Sequence, residues 1–271
     1  MSKLPEYEIY AVRYATQKER SEGHIFIGGD HSTMLPGFDF FTYAIKGHDH
    51  TWIVDTGMTE VQAKRMGRDY QFLCRPSEGL AKIGIDAKSA IDVIMTHAHF
   101  DHTGTIEDYP NALFHIQDVE MEHVTGRDMT HPAFRLAYHQ DDVKSLIDLL
   151  YAKRLTFHRG DVTLAPGLEF ILIGGHARGQ AILRVNTTRG WVILASDAVH
   201  LYEEIDAERP FAIFYDLFVM VEGYRRINSL AGRRDLIVPG HDQLVTAGYP
   251  AAGPGLENMV LRLDQEPKWK N

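Results

Sequence analysis

Residues 91–105, IDVIMTHAHFDHTGT, place three histidines and an aspartate within six positions, directly after a β-branched apolar run. Imidazoles and carboxylates packed so densely have little structural use, but they are the ligands that divalent metals take. Side chains alternate in a tight loop after a strand, so His97 and His99 share one side while Asp101 and His102 turn to the other. The loop therefore cannot direct all four groups at one ion, and two ions would each still lack donors. Further ligands must come from other strand ends brought to the same edge. The sequence offers three: Ile173-Gly174-Gly175-His176, Val192-Ile193-Leu194-Ala195-Ser196-Asp197 and Ile237-Val238-Pro239-Gly240-His241-Asp242. A lone histidine after a strand is more often a packed residue, and an aspartate there is more often a turn or helix cap. It is the recurrence beside the cluster that turns these three into ligands.

Around these exits the patterning predicts strands at 7–14, 39–46, 51–55, 91–95, 112–116, 168–173, 181–186, 191–195 and 236–238. The segment Gly47-His48-Asp49-His50 reads as a hairpin turn. Helices are predicted after Pro76, with Ser77 as N-cap, at 117–124 and at about 215–231. Residues 129–160 interrupt the strand rhythm, and Val143, Leu146, Ile147, Leu150 and Tyr151 recur there at helical spacing. Strands come first in each half, with hairpins in both, which favours two packed mixed sheets flanked by helices over a doubly wound parallel sheet.

Composition excludes several functions. The net charge of −9 is spread along the chain and no basic run exceeds two residues, which excludes a nucleic-acid binder. Apolar stretches fall far short of the roughly 20 residues that span a bilayer, so no membrane partner is expected. The N-terminus lacks a signal-peptide core, and the reading is of a cytoplasmic protein. Cys74 stands alone, which leaves neither an internal disulfide nor a cysteine metal cage.

The cluster His97-Ala98-His99-Phe100-Asp101-His102, followed by His176, Asp197 and His241 at strand ends, resembles the metallo-β-lactamase superfamily from about residue 39 to 241. The resemblance implies an α+β fold, a four-layer αββα sandwich formed as a single domain over 1–271, with 129–160 as a helical cap. By position it implies His97, His99 and His176 on a first metal, Asp101, His102 and His241 on a second, and Asp197 bridging them. Asp55, in Ile53-Val54-Asp55-Thr56-Gly57, matches the aspartate that supports the cluster from behind. Two Zn2+ ions are implied by the family, although imidazole and carboxylate ligands also suit Fe, Mn or Co. The implied chemistry is attack by a metal-bridging hydroxide, with Asp101 able to carry a proton.

Within the superfamily the sequence is most similar to lactonases, including the N-acyl-homoserine lactonases and 4-pyridoxolactonase. THAHFDHTG, GGHARGQAIL and VPGHDQ carry that likeness, and Ala15 to Pro36 resembles the loop those enzymes use at the pocket and dimer interface. The substrate implied is a lactone, with an aromatic or small-ring lactone or a cyclic amide or imide as the alternative. One departure stands out. Acyl-homoserine lactonases place a tyrosine three residues after the bridging aspartate, where this chain has His200, with Tyr202 two residues further on. Either is a candidate catalytic contact to the substrate carbonyl. Phe26, Met34, Phe38, Phe134, Tyr138 and Phe211 are candidate pocket residues, and the apolar loops suggest a homodimer. From other classes, a redox diiron protein and a non-catalytic metal-binding module remain rivals. The intact histidines oppose the first and the full set of seven ligands the second.

Overall fold

The computed structural model describes residues 4–89 and 91–269. Two sheets form its centre. In the larger, the strands run in the order Val260–Arg262, Glu8–Thr16, Asp39–Lys46, Thr51–Val54, Asp92–Ile94, Leu113–Gln117 and Leu155–His158, with Gln71–Phe72 pairing off Glu8–Thr16. The smaller runs Val162–Ala165, Leu168–Leu172, Ala181–Thr187, Gly190–Ser196 and Ile237–Pro239. Thr51–Val54, Asp92–Ile94, Leu113–Gln117 and Leu155–His158 are parallel to one another, and Ile237–Pro239 is parallel to Gly190–Ser196. Parallel neighbours end together, so Val54 pairs with Ile94 and Ser196 with Pro239. The segments that follow them emerge side by side, and this register delivers the ligands to one edge.

Side-chain alternation builds a core on each face of the large sheet. From Asp92–Ile94, Ile94 joins the inner core with Phe170, Leu183 and Leu194 of the other sheet, while Val93 joins the outer core with Phe114 and Leu146. The helix Leu217–Ala231 packs Met220, Tyr224 and Ile227 into the inner core. The layering is the expected α+β sandwich. No helix among the described residues is long and apolar enough to cross a membrane.

Two local expectations are corrected. The helix after Pro76 spans Pro76–Ala81 with Arg75, not Ser77, as N-cap, because the proline's fixed φ suits the first helical position. Ser77 lies inside the helix and its hydroxyl donates to Asp108 at 2.6 Å. The predicted cap over 129–160 is shorter than expected. Its helix covers Gln140–Tyr151, and Leu155–His158 is then a strand that completes the large sheet. That helix packs on the sheet's outer face through Leu146 and Leu149, whereas Tyr151 is 83% exposed. The buried stripe is thus 142, 146 and 149, and it includes an aspartate.

Asp142 is buried, with one carboxylate oxygen 3.5 Å from the Gln62 amide nitrogen and the other without a partner. Burial, then the neighbouring Asp141 and Glu107 charges, push its carboxyl up to about 7. A carboxyl whose folded pKa lies above its unfolded value of about 4 costs nothing in acid. It destabilises the fold increasingly as pH rises through that window, and fully above it. Asp142→Asn is therefore expected to raise stability by about 1–2 kcal/mol above pH 7, a Tm gain of about 2–6 °C, and to do little at pH 4. Thermal melts of both proteins across pH check this, and a gain that is independent of pH would refute it.

Candidate metal centre

Backbone conformations reserved for unusual residues mark the strand exits. Asp55 follows Thr51–Val54 in the left-handed region at φ 58°, and Ser196 precedes Asp197 at φ 45°. Such strain persists only where the surroundings hold it. Here Asp55 accepts the Thr96 backbone N–H and hydroxyl, both at 2.8 Å, and the Thr96 hydroxyl lies 2.9 Å from that of Ser196. One threonine thus ties the cluster loop to the exit from the other sheet. At Gly175, φ is 85° and a Cβ would lie 2.4 Å from the Met220 Cα, so only glycine lets His176 approach the centre.

All seven expected ligands converge. Ligand atoms of His97, His99, His176 and Asp197 lie within 4.8 Å of one another, as do those of Asp101, His102, Asp197 and His241. Asp197 belongs to both groups. Its Oδ1 is 3.1 Å from Nε2 of both His102 and His241, and its Oδ2 is 3.4 Å from the His176 Nε2. Behind the rings, His102 donates from Nδ1 to Asp55 at 2.7 Å. His176 and His241 donate from Nδ1 to the Ile213 and Asp39 carbonyls, each at 2.9 Å. A proton fixed on Nδ1 leaves the Nε2 lone pair facing the centre, the arrangement a metal requires.

The donor set fits two divalent ions on its own chemistry. The buried Nε2 of His97 has no hydrogen-bond partner, and the His176 Nε2 lies 3.0 Å from the His99 Nδ1. An unpaired buried nitrogen is costly unless a cation lies against it. Burial holds the His97, His99 and His176 imidazoles well below the usual histidine range, that of His176 at about 3, with neighbouring histidines adding to the effect. These rings are accordingly neutral at physiological pH, as ligands must be.

The two candidates for the substrate contact separate. His200 lines the cleft, stacked on Phe211 at 3.6 Å between ring centroids, with Nε2 3.2 Å from Asp197 Oδ2. Tyr202 is a correction: it is 2% exposed and its hydroxyl donates to the Ile237 carbonyl at 3.0 Å, away from the centre. Because Tyr202 opens the helix Tyr202–Asp206, its side chain turns into the core beneath Trp269. Of the candidate pocket residues, Phe38 and Phe211 line the cleft. Phe134 and Tyr138 line an adjoining recess that reaches His99 and His176. Met34 is 54% exposed, and Phe26 is buried beneath Arg209.

Two fully buried carboxylates escaped the sequence reading. Glu120 accepts the backbone N–H of Ala98 at 2.9 Å, that of Gly179 at 2.7 Å and the Tyr138 hydroxyl at 3.1 Å, so it braces two ligand loops at once. Its partners are 22 and 59 positions away along the chain, and no local signal marks it. Glu204 accepts the N–H of His200 and Leu201, each at 2.9 Å, and the Tyr224 hydroxyl at 2.8 Å, and lies 3.2 Å from His200 Nδ1. Its position three residues into a helix start was the available clue.

Known proteins resemble this chain in sequence and in fold. An N-acyl homoserine lactonase of Bacillus cereus is 25% identical over 229 residues, covering 78% of this chain and 86% of the relative. The N-acyl homoserine lactonase AttM of Azorhizobium caulinodans is 26% identical over 239 residues, covering 79% and 84%. Among solved structures, a quorum-quenching N-acyl homoserine lactone lactonase superposes with a TM-score of 0.73 at 21% identity, covering 89% of this chain and 94% of the other. AidC, a dizinc quorum-quenching lactonase, superposes at 0.69 with 17% identity and 89% coverage of both chains. The Metallo-beta-lactamase superfamily profile matches residues 39–241, which takes in the cluster, all three outlying ligands and the whole of the smaller sheet, and the chain belongs to that superfamily.

Proposed function

We propose that the protein is a dinuclear metal-dependent hydrolase that opens a lactone ring. The observation that carries this reading is the pair of donor groups sharing Asp197, with His99, Asp101, His176, Asp197 and His241 lining a cleft. The relatives named as N-acyl homoserine lactonases support the lactone. His97, His99, His176 and Asp197 would hold one ion, and Asp101, His102, His241 and Asp197 the other. Two such ions supply Lewis acidity and a hydroxide nucleophile at neutral pH.

The protein's own residues supply orientation. The Glu204 and Asp197 carboxylates oppose the effect of burial and raise the pKa of His200, whose Nε2 lies 3.2 Å from Asp197 Oδ2 in the cleft wall, in place to hydrogen-bond a substrate oxygen that gains charge. Glu204 fixes the ring from behind, and Phe211 and Phe38 stack around it and keep water away from that bond. The aromatic walls of the cleft, Phe38, Phe40, Tyr70 and Phe211, also suit a flat aromatic lactone or cyclic imide.

The test is a pH-indicator hydrolysis assay on zinc-loaded protein, with metal content measured on the same sample. The panel holds acyl-homoserine lactones, γ- and δ-lactones, 4-pyridoxolactone, cyclic imides and a linear ester. Turnover of cyclic esters with about two ions bound is expected. Turnover of imides alone would move the activity to cyclic amides, and silence across the panel with both ions bound would overturn the hydrolase reading.

A further inference from the structure

The cleft carries two guanidinium groups that the protein itself does not neutralise. Arg20 lies on the short strand Glu19–Ser21, which pairs with Met34–Pro36 so that Arg20 opposes Leu35. Its Cζ sits 4.8 Å from the Phe38 ring centroid and 5.7 Å from that of Phe211. Phe38 in turn stacks on the ligand His241 at 5.3 Å, which leaves Arg20 one aromatic layer from the centre. Arg68 enters the same cleft after Gly67, a turn residue with φ of 68°. Tyr70 lines the wall beside them, packed on Phe40 at 4.5 Å.

Neither arginine has an ion-pair partner among the described residues, and elsewhere this acidic chain pairs its arginines readily. Arg13 meets Asp39, Arg75 meets Asp108, Arg184 meets Glu169 and Arg262 meets Asp264. The carboxylates lining the cleft are Asp101 and Asp197, and both belong to the donor groups. Burial disfavours the charge on Arg20, and the neighbouring Arg68 charge adds to that cost, offset only in part by Tyr70 and Asp101. Two like charges facing one cleft without a counter-ion form a site that lacks its anion.

We infer that Arg20 and Arg68 bind a carboxylate carried on the substrate, so that the ring opened at the metal centre belongs to an anionic lactone and not to a neutral acyl-homoserine lactone. A guanidinium recognises a planar carboxylate through parallel N–H donors, and stacking on Phe38 and Phe211 holds the Arg20 plane at one edge of the cleft. A neutral acyl chain in the same place would bury both charges without compensation. This inference rests on the lactone-opening reading and adds the substrate class to it.

A matched pair of substrates tests it: γ-butyrolactone and γ-carboxy-γ-butyrolactone, assayed on the zinc-loaded protein. The wild type is expected to favour the carboxylated ring in kcat/KM by at least about tenfold, with Arg20→Gln and Arg68→Gln each collapsing that ratio towards one. Arg20→Lys, which keeps the charge but not the fork, is expected to retain part of the preference. If arginine removal lowers both substrates together, or if the wild type prefers the neutral ring, the anion site is overturned. If neither ring turns over, the lactone reading fails on its own account, and calorimetry decides the anion site separately. Tighter binding of α-hydroxyglutarate than of γ-hydroxybutyrate by at least about tenfold, lost in Arg20→Gln or Arg68→Gln, supports the site; equal affinities overturn it.

Discussion

Asp197→Ala is expected to yield a folded protein that has lost both its metal and its turnover. Asp197 is the one side chain common to the two donor groups, and it lies 3.1 Å from the nearest nitrogens of His102 and His241. Alanine leaves each ion with neutral imidazoles and at most one carboxylate, so bound metal should fall from about two to well below one per chain. Hydrolysis of any panel lactone should fall by about a thousandfold or more. The strand Gly190–Ser196 keeps its ladders, which rest on backbone groups preceding residue 197, so the circular dichroism spectrum should remain that of the wild type. Elemental analysis on the purified variant provides the check. A variant that retains two ions and full turnover would sink the bridging role.

Glu120→Gln should cost both stability and metal affinity, although Glu120 touches no ligand atom in the centre. The glutamate is fully buried and accepts three donors, two of them backbone N–H groups on the loops that carry His97, His99 and His176. Glutamine has the same shape but one acceptor oxygen, so its amide nitrogen must face the N–H of Ala98 or Gly179. A buried donor without an acceptor costs about 1–3 kcal/mol, and this change creates such a conflict on both partners. A loss of about 3 kcal/mol is expected, which lowers Tm by about 6–12 °C. Zinc affinity should weaken by about 10–100-fold, the usual cost of removing a group that orients metal ligands. Melts with and without chelator separate the two effects. An unchanged Tm with unchanged zinc affinity would show that Glu120 braces nothing.

The contrast between these two residues shows what the chain announces in its order. Asp197 was legible because it ends an apolar strand, as His176 and His241 do, and strand exits are where a sheet edge collects side chains. The cluster 97–102 was legible from spacing alone. The strands at 39–46 and 181–186 were read within a residue of their observed ends, because alternation and β-branching speak locally. By contrast, the strand Leu155–His158 was folded into a supposed cap, since four residues beside a helix carry too short a pattern to stand out. The helix Gln140–Tyr151 was recognised, but its buried face was placed about a position off. Glu120, Glu204 and Arg20 carry no periodic signal at all.

Sequence alone pointed to the candidate metal ligands, to two packed mixed sheets flanked by helices and to the edge on which the site is built, because each depends on short-range pattern and on parallel strands ending together. Tertiary structure alone decided which side chains stand around those ligands. It turned Tyr202 into the core and His200 into the cleft, placed Glu120 between two loops distant in sequence, and set Arg20 and Arg68 in the wall of the same cleft. These outcomes depend on contacts between residues tens to hundreds of positions apart. Such contacts are set by how the sheets and loops pack, which no local run of amino acids encodes by itself.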